Sequence, residues 1–408
     1  MGNSSSKNQV KTIKFPINRE DYWNVRSIIV NNKKIPPRAF TCSRFTSIQF
    51  TENSKIKSIP KLAFSIPSLE TLTIPSSVSN FGEGWIDMAS KLKEIRIINN
   101  GVNNIKYIDD NFIVGKSNPK NDEYDILCFV KRNIKEAIIP SNIKRIASCA
   151  FEHCQSLENI IFKEDSQLEI IEYKAFAHTR CKSICIPPHL KTIGRSAFEF
   201  SYIEHIQFSE NSELQEIQSK SFFCSQIKQI SIPPSVTKID EEAFKNCHLL
   251  HELIIPQNSK LKSIGALSFC ENSFDQIFIP SNVTSIERCL FHVCKNLKKV
   301  EISNNSELKV IKVNAFYKTG IESISLPSSI IEFKDGWSFQ IRYLKDIRIF
   351  PNNNVFNIKY LNNSFIVKKS NLENNYFDVL LFARRNINEV IIPSYIKSIS
   401  SYAFENCY

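Results

Sequence analysis

The chain has 408 residues, 42% of them hydrophobic and 23% charged, which excludes wholesale disorder and exceeds what one ordinary compact core holds. Its net charge of +11 is uneven: residues 1–61 carry 12 Lys/Arg against 3 Asp/Glu, a balance of +9, and the remaining 40 against 38 leave the body near neutrality. A nucleic-acid binder wants a basic stripe along its body, so that class is set aside, and no apolar run reaches the ~18–20 residues of a membrane-spanning helix.

Residues 1–24 read as a basic tail and cap. Met1-Gly2-Asn3-Ser4-Ser5-Ser6-Lys7 fits the N-myristoylation pattern, with Gly2 exposed by removal of Met and Ser at position six. It has no apolar core of the kind a signal peptide carries. One myristoyl chain holds a membrane only marginally, and Lys7, Lys11 and Lys14 supply a second signal worth ~1 kcal/mol each near an anionic surface. The expectation is attachment to the cytoplasmic leaflet, with unconventional export to the cell surface as the alternative.

From Val25 to residue 408 the chain repeats. A motif of apolar-x-x-apolar-x-apolar, often followed by Pro, starts at Val25, Phe45, Leu69, Leu92, Ile134, Leu157, Cys181, Ile203, Ile227, Leu250, Phe274, Leu297, Ile321, Leu344 and Ile387, and eleven of the fourteen gaps are 22 to 24 residues. A period of that size decides the architecture before any single element does. Each start predicts a short strand: in Ile227-Lys-Gln-Ile230-Ser-Ile232 apolar and polar positions alternate, and Pro233 ends the run because it lacks a donor. A second motif, Ile-x-x-x-Ala-Phe, follows in most repeats and brings Phe40, Phe64, Phe151, Phe176, Phe198, Phe222, Phe244, Phe269, Phe291, Phe316 and Phe404, which accounts for 30 Phe against 2 Met. These return segments are expected to be short helical or 3₁₀ turns, with Ala leaving room for the next rung and Phe filling a shared spine.

A larger duplication overlies the repeat. Gly84-Trp85 through Cys154 matches Gly336-Trp337 through Cys407 at an offset of 252 to 253 residues. Each copy holds an insert, near 99–131 and 351–384, whose β-rich runs joined by polar Asn, Lys and Asp read as a hairpin. The sequence ends in mid-repeat, at Ala403-Phe404-Glu-Asn-Cys407-Tyr408.

The order strand, Ile-Pro, apolar-x-x-Ile and Ala-Phe-x-x-Cys, as in Ile232-Pro-Pro-Ser-Val236-Thr-Lys-Ile239-Asp-Glu-Glu-Ala243-Phe244-Lys-Asn-Cys247, resembles the BspA-type leucine-rich repeat over nearly the whole chain. The resemblance implies an α/β, right-handed leucine-rich-repeat solenoid with a parallel β-sheet on one face. It also implies a surface antigen or adhesion protein, since some members bind extracellular-matrix proteins. The repeat is scaffold, so it carries no catalytic residue, and neither an enzyme, a cofactor nor a small-molecule substrate is expected.

The remaining chemistry is sparse. Cys154, Cys247, Cys294 and Cys407 each follow a spine Phe by three residues and so track the rungs as small buried hydrophobes. Cys149-Ala-Phe-Glu-His153-Cys154 and Cys289-Leu-Phe-His292-Val-Cys294 bring Cys and His together, but within the Phe turn rather than as separated zinc pairs, and no metal is assigned. There is no Gly-rich phosphate loop and no Gly-x-Ser-x-Gly. What is left for function is the outward face of the strands: Ile138, Ile161, His205, Gln229, Glu252, Ile254, Gln276, Phe278 and Lys299. Ile138 with Ile161, and Ile254 with Phe278, are expected to form two apolar patches among polar neighbours, which suits a protein partner.

Overall fold

The computed structural model of the chain describes residues 10–407, apart from 16, 18, 353, 354, 374, 386 and 388, with the backbone alone at Asp346. Gly2 and Lys7 lie outside the described residues. The chain divides into two compact units, Met1–Ile203 and Glu204–Tyr408, and each is a parallel β-solenoid.

In the first unit the strands Val10–Ile13, Ser27–Val30, Ser47–Phe50, Thr71–Pro75 and Glu94–Ile98 run parallel in one sheet. Farther along, Glu136–Ile139 pairs in register with Asn159–Phe162. Alternation sets which side chains are inside: Ala137 and Ile139 are buried while Glu136 and Ile138 between them are exposed. A second, narrower ladder joins Arg145–Ile146, Ile170–Ile171 and Thr192–Ile193, two residues per rung. The second unit repeats the plan. Its wider ladders are His205–Phe208, Gln229–Ser231 and Glu252–Ile254, then Gln276–Ile279, Lys299–Ile302, Ser323–Pro327 and Asp346–Phe350. Its narrower ladders are Glu216–Ile217, Lys238–Ile239 and Ser263–Ile264, then Ser285–Ile286, Val310–Ile311 and Glu332–Phe333.

The return segments correct the expectation of helical or 3₁₀ turns, and with it the α/β class. Among the described residues the one helix is Arg19–Asn24, and the Ala-Phe segments are tandem hydrogen-bonded turns. The cause is backbone conformation at the residues two before and two after each Phe. Cys149 and His153 around Phe151 have φ of 61° and 62°, and Glu242 and Asn246 around Phe244 have 59° and 61°. Left-handed residues four apart break any helix. They also turn alternate N–H groups along the stacking direction. Cys149, Phe151 and His153 donate to Tyr173, Ala175 and Ala177 at 2.8–3.1 Å, and Glu242, Phe244 and Asn246 donate to Ala266, Ser268 and Cys270 at 2.9 Å each. Three bonds to the next rung offset strain of roughly 1–2 kcal/mol at each left-handed residue. The small residues of these segments serve this close stacking: a Cβ on Gly194 would come within 2.6 Å of the Ile171 carbonyl oxygen.

The Phe spine forms as the repeat implies. In the first unit the rings of Phe151, Phe176 and Phe198 stack at 4.8 and 5.2 Å. In the second, Phe222, Phe244, Phe269, Phe291 and Phe316 stack at 4.9, 5.8, 6.1 and 5.6 Å. The cysteines three residues later donate to the previous rung, Cys247 to the Phe222 carbonyl at 3.0 Å and Cys294 to that of Phe269 at 2.9 Å. Eight of the twelve cysteines are buried.

Each insert is a three-stranded antiparallel ribbon that feeds the narrow ladder. Ile105–Ile108, Phe112–Gly115 and Ile126–Val130 pair antiparallel in that order, and Ile126–Val130, buried throughout, then pairs in parallel with Arg145–Ile146. Ile358–Leu361, Phe365–Lys368 and Val379–Ala383 repeat this and end on Ser398–Ile399. Asp125 closes its loop by accepting from the amide and hydroxyl of Ser117 at 2.8 and 2.6 Å, as Asp378 does from Ser370 at 3.0 and 2.8 Å.

Candidate functional site

The outward residues of the wide ladders form the candidate binding face. In the first unit Ile138 and Ile161 are register partners on adjacent strands, 47% and 44% exposed, with the exposed pair Glu136 and Asn159 two residues away. Two large aliphatic side chains side by side on a solvated sheet face make the apolar centre with polar rim that protein interfaces use.

In the second unit His205, Gln229 and Glu252 form one polar row across three strands, all exposed, and Ile254 follows beside Ser231. These residues line a groove of about 570 Å³. Gln276 and Lys299 are register partners on the next ladder, where Lys299 pairs with Glu301. Phe278 is half-buried and faces a separate concavity with Lys299, Glu301 and Arg348. The strands carrying Ile254 and Phe278 belong to different hydrogen-bonded sheets, so those two residues do not share a ladder as Ile138 and Ile161 do.

Of the basic residues near the N-terminus, Lys11 lies on the strand Val10–Ile13 and pairs with Asp21 at 2.6 Å, with its side chain half exposed. Lys14 is exposed just after that strand. Among the described residues no helix is long and apolar enough to cross a membrane.

A second concentration of chemistry, which the repeat pattern concealed, is buried in the first unit. Asp87, Cys149 and Glu152 each bring a ligand-type atom within 4.8 Å of the other two. Lys174 Nζ donates to Asp87 Oδ1 at 2.8 Å and stands 3.9 Å from Glu152 and 4.0 Å from Glu199, while the Tyr173 hydroxyl donates to Asp87 Oδ2 at 3.2 Å. Glu152 is 1% exposed; Lys174 Nζ and His153 Nε2 each stand 3.9 Å from its Oε1, the Cys149 thiol lies beside it, and no backbone, hydroxyl or ammonium donor comes within hydrogen-bond distance of its oxygens. Burial, with the Asp87 charge beside it, pushes its carboxyl up to about 8, against the opposing pull of Lys174 and Arg132. Burial raises the Cys149 thiol far above its usual range, and the charges of Glu152 and Asp87 add to this. Burial alone would lower Lys174, but its hydrogen bond to Asp87 and the nearby carboxylates outweigh that and raise it. His153, stacked on His178 at 4.7 Å, is held down to about 4 by burial and by the neighbouring positive charges. The two copies of the duplication carry the signal that finds this cluster: Phe339 stands where the first copy has Asp87, and Tyr402 where it has Cys149.

The model of the BspA type leucine-rich repeat region matches residues 20–117, 125–251, 215–345, 262–380 and 376–408. No curated protein matches the chain. Among solved structures, a leucine-rich repeat protein from Bacteroides ovatus is 19% identical, covers 87% of this chain and 69% of its own, and has a TM-score of 0.45. One from Eubacterium ventriosum is 16% identical, with 79% and 77% covered and a TM-score of 0.47. A leucine rich cell surface protein from Faecalibacterium prausnitzii is 17% identical, with 87% and 93% covered and a TM-score of 0.36. The family model spans nearly the whole chain with the strand, Ile-Pro and Ala-Phe order described above, and the chain belongs to the BspA-type leucine-rich repeat family.

Proposed function

We propose that this chain is a non-enzymatic scaffold that binds a protein partner on the outward face of its wide ladders, and that its N-terminal segment holds it against an anionic membrane surface. The observation that carries the binding reading is the in-register pair Ile138 and Ile161, exposed side by side with the exposed polar pair Glu136 and Asn159 two residues away. His205, Gln229, Glu252 and Ile254 supply a second, more polar contact surface, and Gln276, Phe278 and Lys299 extend it. Glu152 and Cys149, two groups with displaced proton affinities, are buried inside the rungs rather than on that face, which supports a scaffold with no reaction of its own.

Membrane attachment rests on Gly2 as a myristoylation site and on Lys7, Lys11 and Lys14 as the second signal that one acyl chain needs. Family membership favours a second reading, a cell-surface antigen or adhesin that binds an extracellular-matrix protein. Mass spectrometry of the N-terminal peptide from the native source separates the two. Myristate on Gly2 supports the cytoplasmic leaflet, whereas an unmodified terminus together with oxidised cysteines, or with glycan on Asn282 in the Asn-x-Thr sequon Asn282-Val283-Thr284, supports the surface reading. For the face itself, Ile138→Asp with Ile161→Asp is expected to abolish partner capture while the protein stays folded; unchanged capture would remove this patch from the proposal.

A further inference from the structure

The buried cluster of the first unit plays no part in the binding face, and its composition is costly unless something else completes it. A buried carboxyl group is costly to leave without donors, and neither Glu152 oxygen has a backbone, hydroxyl or ammonium donor within hydrogen-bond distance. We propose that Asp87, Cys149 and Glu152 form a binding site for a divalent cation of the zinc class, with one thiolate and two carboxylates as ligands.

Geometry supports this first. Ligands at ~2.0–2.3 Å from a tetrahedral ion lie about 3.3–3.8 Å apart, so three donor atoms already within 4.8 Å of one another need to close by only about an ångström. Glu152 is at once buried and aimed at the other two, and outside the cluster no donor comes within hydrogen-bond distance of its oxygens. Charge supports it next. Lys174 balances the charge of Asp87, and the two protons that Glu152 and Cys149 give up would balance a divalent ion, with Glu199 at 4.0 Å within reach of the displaced ammonium. The thiol selects the metal, since sulfur ligands favour zinc over magnesium or calcium. The protons of Cys149 and Glu152 leave to solvent on binding, and a water completes the fourth position.

The internal duplication supplies the control. Glu405 occupies the place of Glu152 in the second copy, yet it is half-buried and accepts a hydrogen bond from the Gln340 amide at 2.8 Å. There the counterparts of Asp87 and Cys149 are Phe339 and Tyr402, which pack ring on ring at 4.4 Å. The acid and the thiol are thus replaced together by an aromatic pair, half-buried Phe339 and exposed Tyr402. Where the two ligands are absent the glutamate accepts from a backbone N–H, and where they are present it does not.

The test uses the full chain with Cys42→Ser and Cys185→Ser, which remove the two exposed thiols, stripped with chelator and titrated with Zn(II) and then with Co(II). One Zn(II) per chain is expected, with a raised thermal midpoint and one thiolate-to-cobalt charge-transfer band for Co(II). Cys149→Ser should abolish the band and weaken Zn(II) by more than the ~10–100-fold that changes outside the ligand set cost. Asp87→Phe with Cys149→Tyr copies the aromatic pair of the second unit and should fold without binding. Should that variant fail to fold, Glu152→Gln, which keeps size and shape, must still weaken Zn(II) at least tenfold. Equal Zn(II) affinity in Cys149→Ser or Glu152→Gln, or a Co(II) adduct with no thiolate band, overturns the proposal.

Discussion

Replacing Phe244 by Ala tests whether the Phe spine holds the second unit together. The ring is fully buried and stacks on Phe222 at 4.9 Å and Phe269 at 5.8 Å. Truncating a buried Phe costs about 3–5 kcal/mol through lost transfer energy and the cavity left behind, and two aromatic contacts add about 0.5–1.5 kcal/mol each. Because part of the contact energy is already in the burial figure, a loss of about 4–6 kcal/mol is expected in urea unfolding. Repeat proteins couple mainly through nearest neighbours, so hydrogen exchange read by mass spectrometry should lose protection in the rungs of Phe222, Phe244 and Phe269 more than in that of Phe316. Phe223 is the matched control: it is half-buried and faces outward near Lys220 and Lys245 at 5.7 and 5.9 Å. Phe223→Ala should cost no more than about 1 kcal/mol. A Phe244→Ala variant no less stable than Phe223→Ala, or one that loses protection uniformly along the second unit, would refute the reasoning.

Val293 is a β-branched residue at φ 62°, in the place after its Phe that Asn246 fills after Phe244; Val293→Asn should raise stability by about 1 kcal/mol in urea unfolding, because Asn tolerates the left-handed region. Asn352 is buried and its amide bonds the Ser306 carbonyl and the Ser329 hydroxyl, joining the second insert to two earlier repeats. Asn352→Ala leaves those acceptors unmet and should cost roughly 1–3 kcal/mol by the same measurement. His292 is stacked on Tyr317 at 4.6 Å, and burial lowers its pKa. A histidine depressed in the fold binds its proton more readily in the unfolded chain, so its contribution is present above the unfolded value and is lost as pH falls through that value toward the folded one. His292→Phe should flatten the acid limb of the pH–stability curve below about pH 6.5, the ordinary value for histidine.

Much of this fold was legible because the repeat writes it many times. Alternation with a terminal Pro marked Gln229–Ser231 and its relatives as strands, and the spacing of Ala-Phe marked the spine that stacks from Phe222 to Phe316. The return turns were not legible as turns, because their left-handed positions carry Cys149, Lys174, Glu242 or Val293, residue types that announce no such conformation. The inter-rung N–H ladder imposes it on them. The face was half legible: alternation placed Ile138 and Ile161 outward in register, but hydrogen-bonded pairing stops after Glu252–Ile254, so Ile254 and Phe278 are not register partners, and nothing in a 23-residue period marks where pairing lapses. The buried cluster was hidden for another reason. Cys149 and Glu152 look like ordinary members of a repeat, and Asp87 joins them from two repeats away, so the departure shows only when the two long copies are compared.

The most direct test of a protein-binding face is site-specific photocrosslinking in the native source, with the reactive group placed at 138, 161 or 254 and, as controls, at 170 and 331. Ile170 and Ile331 are similarly exposed, at 38% and 40%, but belong to the narrow-ladder side of the rungs. Adducts to one common protein from 138 and 161, with none from 170 and 331, are the result the account predicts. Adducts from the control positions alone, or none from 138, 161 and 254, would contradict it.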